Sequence, residues 1–553
     1  MAQSDRIPDD AWRLDDEPGA PAMREPALTP VTTAIPINLS HDRLTRAMYV
    51  VTAEHLAWYV VALYALVTRV VALGARPLDP APAVDAQAAF LIAGHGRAAF
   101  ALADASWVAI LQGWIFDAVG ATDATSRIIV TLCGILLVAI GFAMRPLLGR
   151  AGALAFAALI AISPSIAYFS RRGSTVIASI ALMMVAIVLA ESMRRRPSLG
   201  RAAALGAAIA LWLSADPIGY VTAFATVMSL ILVGAVDAVR MDHRRLRLRV
   251  WWARRRAPVI VCAIVALVLW IELTTALFHR PLADSVKYFC AAAFAPPSLA
   301  IRLGLRQLIP ILGFYEFILV ALATVGGYAI VTRRVGDRFA AWSLVWAIIT
   351  IATFLTLGAN YADAVIAILL PLAILAAYAV DWIHQLERWS AIRYAIAAAV
   401  ALTLYVQCMT NFVYPAPDTS EAPWRRHALL FWSEPTTSIR TVQECERVRR
   451  EMPAAATAFV PDDAPQVQWY LRDFELTASP KSANIAVTIG KTQPGSTAGA
   501  PDSSEFGFEE WWAPDFSGLT TGRAIGYLFT QRAWSDVEIR DLEIMISPPK
   551  STP

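Results

Sequence analysis

Charged residues are scarce in this chain, and this limits the folds that it can adopt. Only 16% of its 553 residues are Asp, Glu, Lys or Arg, whereas 57% are hydrophobic, and the mean hydropathy is +0.52. A water-soluble fold cannot bury that much apolar surface, so the composition indicates an integral membrane protein. The net charge of +3 is small for this length. It gives no basis for nucleic-acid binding, and we expect no nucleic-acid partner.

Cysteine is equally scarce, and no secretory signal peptide is evident. The five cysteines have no metal-ligand spacing, and three of them lie inside apolar runs, where a small buried hydrophobe is the usual role. We therefore expect no disulfide framework and no structural zinc. The first strongly apolar stretch begins near Met48 and is too long for a cleaved signal. It is expected to anchor the chain.

Apolar runs of membrane-spanning length alternate with short polar breaks from Met48 onward. A helix of roughly 17 to 25 residues crosses the hydrocarbon core, and by this criterion we predict about eleven spans in an all-α polytopic membrane domain. They are 48–73, 127–145, 151–169, 174–193, 201–214, 217–239, 257–278, 308–332, 340–358, 363–383 and 394–413. The closely spaced pair 201–214 and 217–239 leaves a re-entrant helix pair open.

Basic residues cluster in every second loop between these runs, and the positive-inside rule makes those loops cytoplasmic. The clusters comprise Arg194, Arg195, Arg196 and Arg201, then Arg240 to Arg256, then Arg333, Arg334 and Arg338, and then Arg388 and Arg393. An odd number of spans puts the N-terminus in the cytoplasm and the C-terminus outside the cell membrane. The opposite loops carry acids, including Asp79, Asp85, Asp123, Asp216 and Asp363.

Composition divides the chain into three parts. Residues 1–47 lack apolar periodicity and are predicted to be a disordered cytoplasmic tail. The transmembrane domain covers 48–413, and its long outer loop, 74–126, has apolar residues at helical spacing, so we expect it to lie along the membrane interface. Residues 414–553 combine a Pro-rich linker with a soluble extracytoplasmic α/β domain.

Within the tail, one helix, four strands and one loop are predicted. "SIRTVQECERVRREM" is expected to form the helix, "TAFVPD", "IAVTIG", "IGYLFTQR" and "EIRDLEIMIS" the strands, and "KTQPGSTAGAPDSSE" a flexible loop. Trp469, Tyr470, Trp511 and Trp512 could stack on a sugar, although core packing is the more common role of such residues.

Two aspartates follow the first span in "VVALGARPLDPAPAVDAQAAF". Asp85 and Asp79 are candidates for a functional role on the predicted outer side of the membrane. Each could instead cap a helix, because Asp79 precedes a proline and Asp85 opens an amphipathic stretch.

A pair of arginines in "ISPSIAYFSRRGSTVIAS" lies on the outer side, against the charge bias. Arg171 and Arg172, with Tyr168 and Ser170, are candidates for binding a lipid phosphate, since guanidinium groups bind phosphate in a bidentate manner. The alternative is snorkelling to lipid headgroups.

Glu316 and Glu272 lie within apolar sequence, where a carboxylate needs a cavity or a partner. They are candidate substrate-binding residues that could pair with Arg171, Arg172 or His279. A polar contact between helices without chemistry is the alternative.

These stretches resemble short motifs of the GT-C superfamily of glycosyltransferases, of the dolichyl-phosphate-mannose mannosyltransferase and aminoarabinose-transferase type. "SPSIAYFSR" is similar to a signature of Ser-Pro, Tyr and Ser-Arg, "FYE" to a Tyr-Glu element, and "WYLRDF" to an element of the branch of flippase-activity-associated membrane proteins. The chain departs from the family at Ala81 and Pro82, where paired acids are expected.

The resemblance implies a sugar transferase working on polyprenyl phosphate at the extracytoplasmic face. Asp85 or Asp79 would be the general base, and Arg171 with Arg172 would bind the lipid phosphate. The partners would be a polyprenyl-phosphate-linked sugar, membrane lipid and an acceptor lipid, glycan or protein. No cofactor is expected, but a divalent metal stays open, because some members of the superfamily use one. A non-catalytic transporter or flippase-associated protein for lipid-linked sugars is the alternative function.

Overall fold

The computed structural model describes a largely helical membrane protein that ends in a small sheet. The described residues are 53–95, 106–239, 244–275, 281–287, 305–332, 338–357, 362–385, 390–413, 418, 435–453, 456–480, 483–490, 502–512 and 514–546. The chain divides into two compact units, Met1–Tyr59 and Val60–Pro553. The predicted tail 1–47 lies outside the described residues.

Helices form the part of the chain that precedes the sheet. In chain order they are α1 (Ala53–Val70), α2 (Pro80–His95), α3 (Trp107–Val119), α4 (Ile128–Ala143), α5 (Arg145–Ile162), α6 (Pro164–Arg172), α7 (Thr175–Arg195), α8 (Leu199–Ala215), α9 (Ile218–Val239), α10 (Arg244–Thr274), α11 (Leu305–Phe314), α12 (Phe317–Val331), α13 (Arg338–Leu357), α14 (Val365–Gln385) and α15 (Ser390–Cys408). Short 3₁₀ segments precede α4 and α14, and a π-helical turn, Met409–Val413, follows α15.

Among the described helices, eight are long and apolar enough to cross a membrane: α4, α5, α7, α9, α10, α13, α14 and α15. Helices α11 and α12 make a ninth candidate together, although the chain bends by 100° between them. Each of the eleven predicted spans contains a helix, but α1 carries charges near both ends and α8 has only 17 residues. The sharply bent pair lies at α11 and α12 rather than at α8 and α9.

The predicted span 151–169 is broken into α5 and α6 at Ser163. Its hydroxyl accepts a hydrogen bond from the backbone N–H of Ile166, and Pro164 occupies the first helical turn, so a new helix begins here. Helix α6 ends after nine residues at Gly173, where φ is +96°. A Cβ there would lie 3.2 Å from the side chain of Arg127, so this turn requires glycine.

The described part of the tail folds as one six-stranded sheet with three helices. The strands are β1 (Thr436–Thr437), β2 (Thr457–Phe459), β3 (Glu475–Leu476), β4 (Ile485–Ile489), β5 (Asp502–Trp511) and β6 (Glu538–Ile546), and the helices are α16 (Ile439–Glu451), α17 (Pro465–Tyr470) and α18 (Thr521–Thr530). The strand order is β1-β5-β6-β4-β2-β3, with β2 parallel to β3 and β4, and the other pairs antiparallel.

Two predictions for the tail were wrong. The first six residues of "IGYLFTQR" lie in helix α18 instead of a strand. Thr520 caps the first turn of this helix, and Tyr527 is buried against Phe314 of α11, at 5.4 Å between ring centroids. The last four residues of the predicted flexible loop, Asp502 to Glu505, pair with β6 and form the start of β5. Cross-strand pairing outweighs the low strand propensity of Asp and Ser.

The outer loop and the tail share one hydrophobic core. Ile92 of α2 and Phe116 of α3 pack together with Trp469 of the tail and with Val487 and Ile544 of its sheet. The apolar face of the outer loop therefore lies against the tail instead of along the membrane interface.

A half-buried carboxylate, that of Asp123, ties the two parts together at the edge of this core. Asp123, in the loop before α4, accepts hydrogen bonds from Trp469 Nε1 and from the Tyr470 hydroxyl, each at 2.8 Å. The same hydroxyl accepts the backbone N–H of Leu78 at 2.8 Å. These bonds fix the tail against the residue that precedes Asp79.

We expect Asp123→Ala to lower the stability of the folded chain by about 2–4 kcal/mol, because two buried donors lose their acceptor. Thermal unfolding of the purified chain in detergent measures this change. Asp473→Ala is the matched control, since it breaks an ion pair with Arg449 whose side chains are 44% and 40% exposed. Equal shifts in the two variants would contradict the prediction.

Candidate active site

A buried ion pair lies where the outer loop, helix α6 and the tail meet. Arg172 Nε is 2.7 Å from Asp79 Oδ2, and the two side chains are only 6% and 7% exposed. The other oxygen of Asp79 accepts the backbone N–H of Thr437 in β1 at 3.0 Å. Asp79 occupies the position before α2, yet its side chain binds α6 and the tail and not its own helix. Both of its oxygens are occupied.

Arg171 has a different set of partners. Its guanidinium donates to the backbone carbonyls of Thr68 and Val71 at 2.8 and 2.7 Å, and to that of Ala72 at 3.2 Å. It also lies over the ring of Phe412, 4.7 Å from the centroid. The last carbonyls of a helix lack partners within the helix, so Arg171 caps the end of α1. Its 9% exposure does not fit snorkelling into headgroups.

Two further arginines hold the segment between α1 and α2. Arg127 donates to the carbonyls of Leu73 and Pro77 at 2.8 and 2.6 Å, and is 1% exposed. Arg76 donates to the carbonyl of Thr410 at 2.7 Å. Burial lowers the pKa of Arg76, with Arg127 and Arg172 adding to this and Tyr168 and Asp79 opposing it. Arg76, Arg127, Arg171 and Arg172 therefore form one cluster, here named the arginine cluster.

Within the described residues, Arg127 and Arg171 have backbone carbonyls as hydrogen-bond partners and no carboxylate. Neutral carbonyls do not balance a full positive charge that has been removed from water. An anion next to these two side chains would be strongly favoured. The charge and the planar donors of the cluster suit a phosphate.

Tyr168 and Ser170 support this cluster from α6. The ring of Tyr168 lies 5.1 Å beneath the guanidinium of Arg76, and its side chain is 1% exposed. The Ser170 hydroxyl donates to the carbonyl of Ile166 at 2.5 Å, and its own carbonyl accepts from Thr131 at 3.2 Å. Ser170 is thus engaged inside the helix pair α4 and α6, and its part in substrate binding stays a prediction.

Glu316 does not pair with the arginines, contrary to one sequence-based expectation. Its Oε1 accepts the hydroxyl of Ser163 at 2.7 Å and the backbone N–H of Ser165 at 3.0 Å, and the residue is 1% exposed. A carboxylate at a helix N-terminus is stabilised by the helix dipole. Glu316 therefore fixes α6, and with it Arg171 and Arg172 at the other end of that helix.

Glu272 lies on α10 and is half-buried. Its carboxylate makes no hydrogen bond or ion pair with any residue that the structure describes. His279, its predicted partner, lies outside the described residues. No contact joins Glu272 to the arginine cluster in the part of the chain that is described, and its role stays a prediction.

Asp85 lies on α2, one turn beyond Pro82. A Cβ on Gly173 would be 3.5 Å from Pro82, so this face of α2 lies against the turn between α6 and α7. Asp85 is half-buried and has no hydrogen bond or ion pair among the described residues. Burial, together with the negative charge of Asp216, raises the pKa of Asp85 to about 7. A carboxyl with this pKa can exchange protons near neutral pH.

Other acids of the predicted outer face meet at the same turn. Ser174 donates to Asp363 at 2.6 Å, and Thr175 donates to Asp216 at 2.6 Å. Where the structure describes the chain, no three His, Cys, Asp or Glu side chains come together as metal ligands. These acids are held by hydroxyls and do not fit a metal site, so we derive no step through a metal.

The tail aromatics suggested for sugar stacking are mostly buried. Trp469 and Trp512 are fully buried and Tyr470 is 7% exposed, so their rings face the core. Trp469 also packs on Arg472, whose guanidinium lies 4.0 Å from the ring centroid. Core packing accounts for these three side chains.

No family model matches the chain, and no curated protein matches its sequence. Solved structures do match. ArnT from Cupriavidus metallidurans in the apo state is 16% identical, with a TM-score of 0.51 over 78% of this chain and 93% of that chain. The same protein bound to undecaprenyl phosphate gives 16% identity and a TM-score of 0.52, over 78% and 92%. The chain therefore shares the fold of ArnT.

Several residues that this fold brings together were not among the candidates predicted from the sequence. Arg76 and Arg127 carry the same signal as Arg171, a positive charge on the predicted outer side, and could have been found by it. Asp216 was seen only as one of many outer acids. The contribution of Thr437 through its backbone N–H leaves no trace in the sequence.

Proposed function

We propose that this chain is a membrane glycosyltransferase that moves a sugar from a polyprenyl-phosphate carrier to an acceptor at the extracytoplasmic face of the cell membrane. The observation that carries the proposal is that two kinds of functional group, guanidinium and carboxyl, lie near the α6–α7 turn. Buried arginines there favour an anion, and Asp85, which has no hydrogen bond or ion pair among the described residues, has a pKa of about 7. Transfer from a sugar phosphate needs both.

The arginine cluster is proposed to hold the phosphate of the carrier. Arg127 and Arg171 are the strongest candidates, because among the described residues they have carbonyl partners and no carboxylate. The ArnT structure with the same fold was solved with undecaprenyl phosphate bound. This likeness supports a polyprenyl phosphate as the carrier for this chain.

Asp85 is proposed to be the general base, and Asp79 to position Arg172. The acceptor hydroxyl transfers its proton to Asp85 as its oxygen bonds to the anomeric carbon. The bond from that carbon to the phosphate oxygen breaks, and the polyprenyl phosphate leaves with the electron pair. The arginine cluster stabilises the charge that develops on the leaving phosphate. Attack opposite the leaving group inverts the anomeric centre.

The charge distribution supports an extracytoplasmic site. Asp79, Asp216 and Asp363 contact residues at the α6–α7 turn, whereas Arg194, Arg195 and Arg338 lie at the opposite end of the bundle. By the positive-inside rule the arginine-rich end faces the cytoplasm. The tail, which contacts Asp79, would then lie outside the cell membrane, with the N-terminus inside.

The pH dependence of transfer follows from Asp85. Folding raises its pKa from 3.8 to about 7, so its contribution to stability is complete below about pH 4 and is lost as the pH rises through 7. Catalysis needs the ionised form, so we expect kcat to rise about tenfold per pH unit below 7 and then to level off. Initial rates of sugar transfer in proteoliposomes between pH 5 and 9 measure this. A rate that falls across this range would contradict the role of Asp85.

Two observations favour the alternative, a binding protein for lipid-linked sugars without catalysis. Both oxygens of Asp79 are occupied by Arg172 and Thr437, and paired acids are missing at Ala81 and Pro82. Such a protein would use the arginine cluster but not Asp85. Reconstituted chain with a labelled undecaprenyl-phosphate sugar and a membrane extract as acceptor separates the two functions. The transferase releases sugar from the carrier, and the binding protein does not.

A further inference from the structure

A second feature lies at the end of the bundle opposite to the arginine cluster. Helix α7 runs from the candidate site to this end, a distance of about 30 Å for its length. Here the last turns of α7 and the first turn of α13 enclose a cleft of about 510 Å³. This volume suits the headgroup and glycerol region of a lipid.

One side of this cleft is basic. Arg194 and Arg195 both bind the single carboxylate of Glu191, with Nε to oxygen distances of 2.6 Å each. Arg195 also donates to the carbonyl of Pro146 at 2.7 Å, which fixes its position. Arg338, at the start of α13, is exposed and makes no hydrogen bond or ion pair with the described residues. The cleft is therefore lined by three guanidinium groups and one carboxylate.

The other side of the cleft is apolar and rigid. Trp342 donates from Nε1 to the hydroxyl of Ser229 at 2.9 Å and stacks on Trp346, at 4.9 Å between ring centroids. Leu230 of α9 lines the same wall and is 55% exposed, on a helix face that continues with the exposed side chain of Val227. The cleft thus opens toward the surface that faces lipid.

A smaller cleft of about 330 Å³ adjoins the first and adds two arginines. The two share Pro146, Leu147, Glu191 and Arg195, and the second is also lined by Arg196 and Arg201. The positive charge therefore extends along one edge of the membrane. A soluble anion would use this charge but not the apolar wall.

We propose that this cleft binds the phosphodiester headgroup of an anionic glycerophospholipid. Arg194 and Arg338 contact the phosphate, and an acyl chain lies along the wall formed by Leu230 and Trp342. Basic pockets between membrane helices bind lipid headgroups on the cytoplasmic side in this way. The proposal does not depend on the glycosyltransferase activity, because it uses the other end of the bundle.

Native mass spectrometry of the full chain in detergent, titrated with phosphatidylglycerol or phosphatidylcholine, tests the proposal. We expect phosphatidylglycerol to bind the wild type and Arg338→Gln to weaken this about fivefold, the effect of one cation near a lipid phosphate. Ala190→Trp fills the cleft without changing charge and should also weaken binding. Arg150→Gln is the charge-matched control, since Arg150 lines neither cleft.

Three outcomes would overturn the proposal. The first is equal binding of phosphatidylcholine, which has the same chains but no net charge. The second is an equal loss in Arg150→Gln and Arg338→Gln, which would indicate general attraction of lipid to a basic surface. The third is displacement of phosphatidylglycerol by inorganic phosphate at equal concentration, which would mean that the apolar wall contributes nothing.

Discussion

Replacing Asp85 by Asn is expected to reduce sugar transfer by about 10²–10⁴-fold, the range for loss of a general base. The amide has nearly the shape of the carboxylate but cannot accept the proton of the acceptor hydroxyl. Stability should not fall, because the ionised carboxylate is disfavoured by burial and by Asp216. Initial transfer rates and thermal unfolding of the same preparation measure both effects.

Asp117→Asn is the matched control for this substitution. Asp117 lies on the neighbouring helix α3, and its side chain is exposed. The Asp117→Asn variant should transfer sugar at the wild-type rate. Asp85 is not the base if Asp85→Asn keeps that rate, or if the two variants lose activity equally.

The largest change in stability is expected at Asp79 and Arg172. Removing one member of a buried ion pair leaves an uncompensated charge, so Asp79→Asn or Arg172→Gln should each lower the free energy of unfolding by about 3–5 kcal/mol. The double variant should lose less than the sum of the two, with a coupling of about 1–3 kcal/mol. Denaturant titration of the four proteins in mixed micelles measures this cycle.

A partly exposed ion pair in the tail provides the reference. Arg447 lies 2.9 Å from Glu444 on α16, but the two side chains are 29% and 28% exposed. Glu444→Gln should cost at most about 1 kcal/mol. If the losses in the free energy of unfolding of Asp79→Asn and Arg172→Gln simply add in the double variant, the two side chains do not form a coupled ion pair.

The pH profile of Asp79→Asn shows whether Asp79 positions Arg172 or accepts the proton itself. If Asp79 only positions Arg172, Asp79→Asn slows transfer but leaves the midpoint of the pH profile near 7. A shift of that midpoint would assign the proton transfer to Asp79.

The membrane helices could be predicted because the bilayer fixes their length and polarity. All eleven predicted runs contain a helix. Two of these helices, α1 and α8, do not meet the criteria of length and polarity for a membrane span, and local features explain both. Glu54 and Arg69 make α1 more polar, and the turn at Asp216 and Pro217 limits α8 to 17 residues. The break of the span 151–169 was not predicted, although Ser163 and Pro164 are a helix start signal.

The candidate site was predicted only in part, because its contacts join distant parts of the chain. The pairing of Asp79 with Arg172 spans the first outer loop and α6, and its third partner, Thr437, lies in the tail. Hydropathy and charge bias identify the side of the membrane but not the partner. The capping of α1 by Arg171 and the placement of Glu316 at α6 depend on packing of several helices.

The tail shows that a short sequence pattern can predict the wrong secondary structure. "IGYLFTQR" alternates enough to suggest a strand, but the cap at Thr520 and the contact of Tyr527 with Tyr315, whose hydroxyls lie 2.5 Å apart, favour a helix. The shared core with the outer loop could not be predicted, since each half has an apolar face that lipid could also cover.

The fate of the lipid carrier distinguishes a glycosyltransferase from a binding protein. Proteoliposomes containing the full chain, a doubly labelled undecaprenyl-phosphate sugar and a membrane extract as acceptor would be followed by mass spectrometry. The transferase account predicts one free undecaprenyl phosphate for every sugar found on acceptor, with both products lost in Asp85→Asn. Sugar that stays attached to its carrier in the wild type, even if it crosses to the other leaflet, would contradict it.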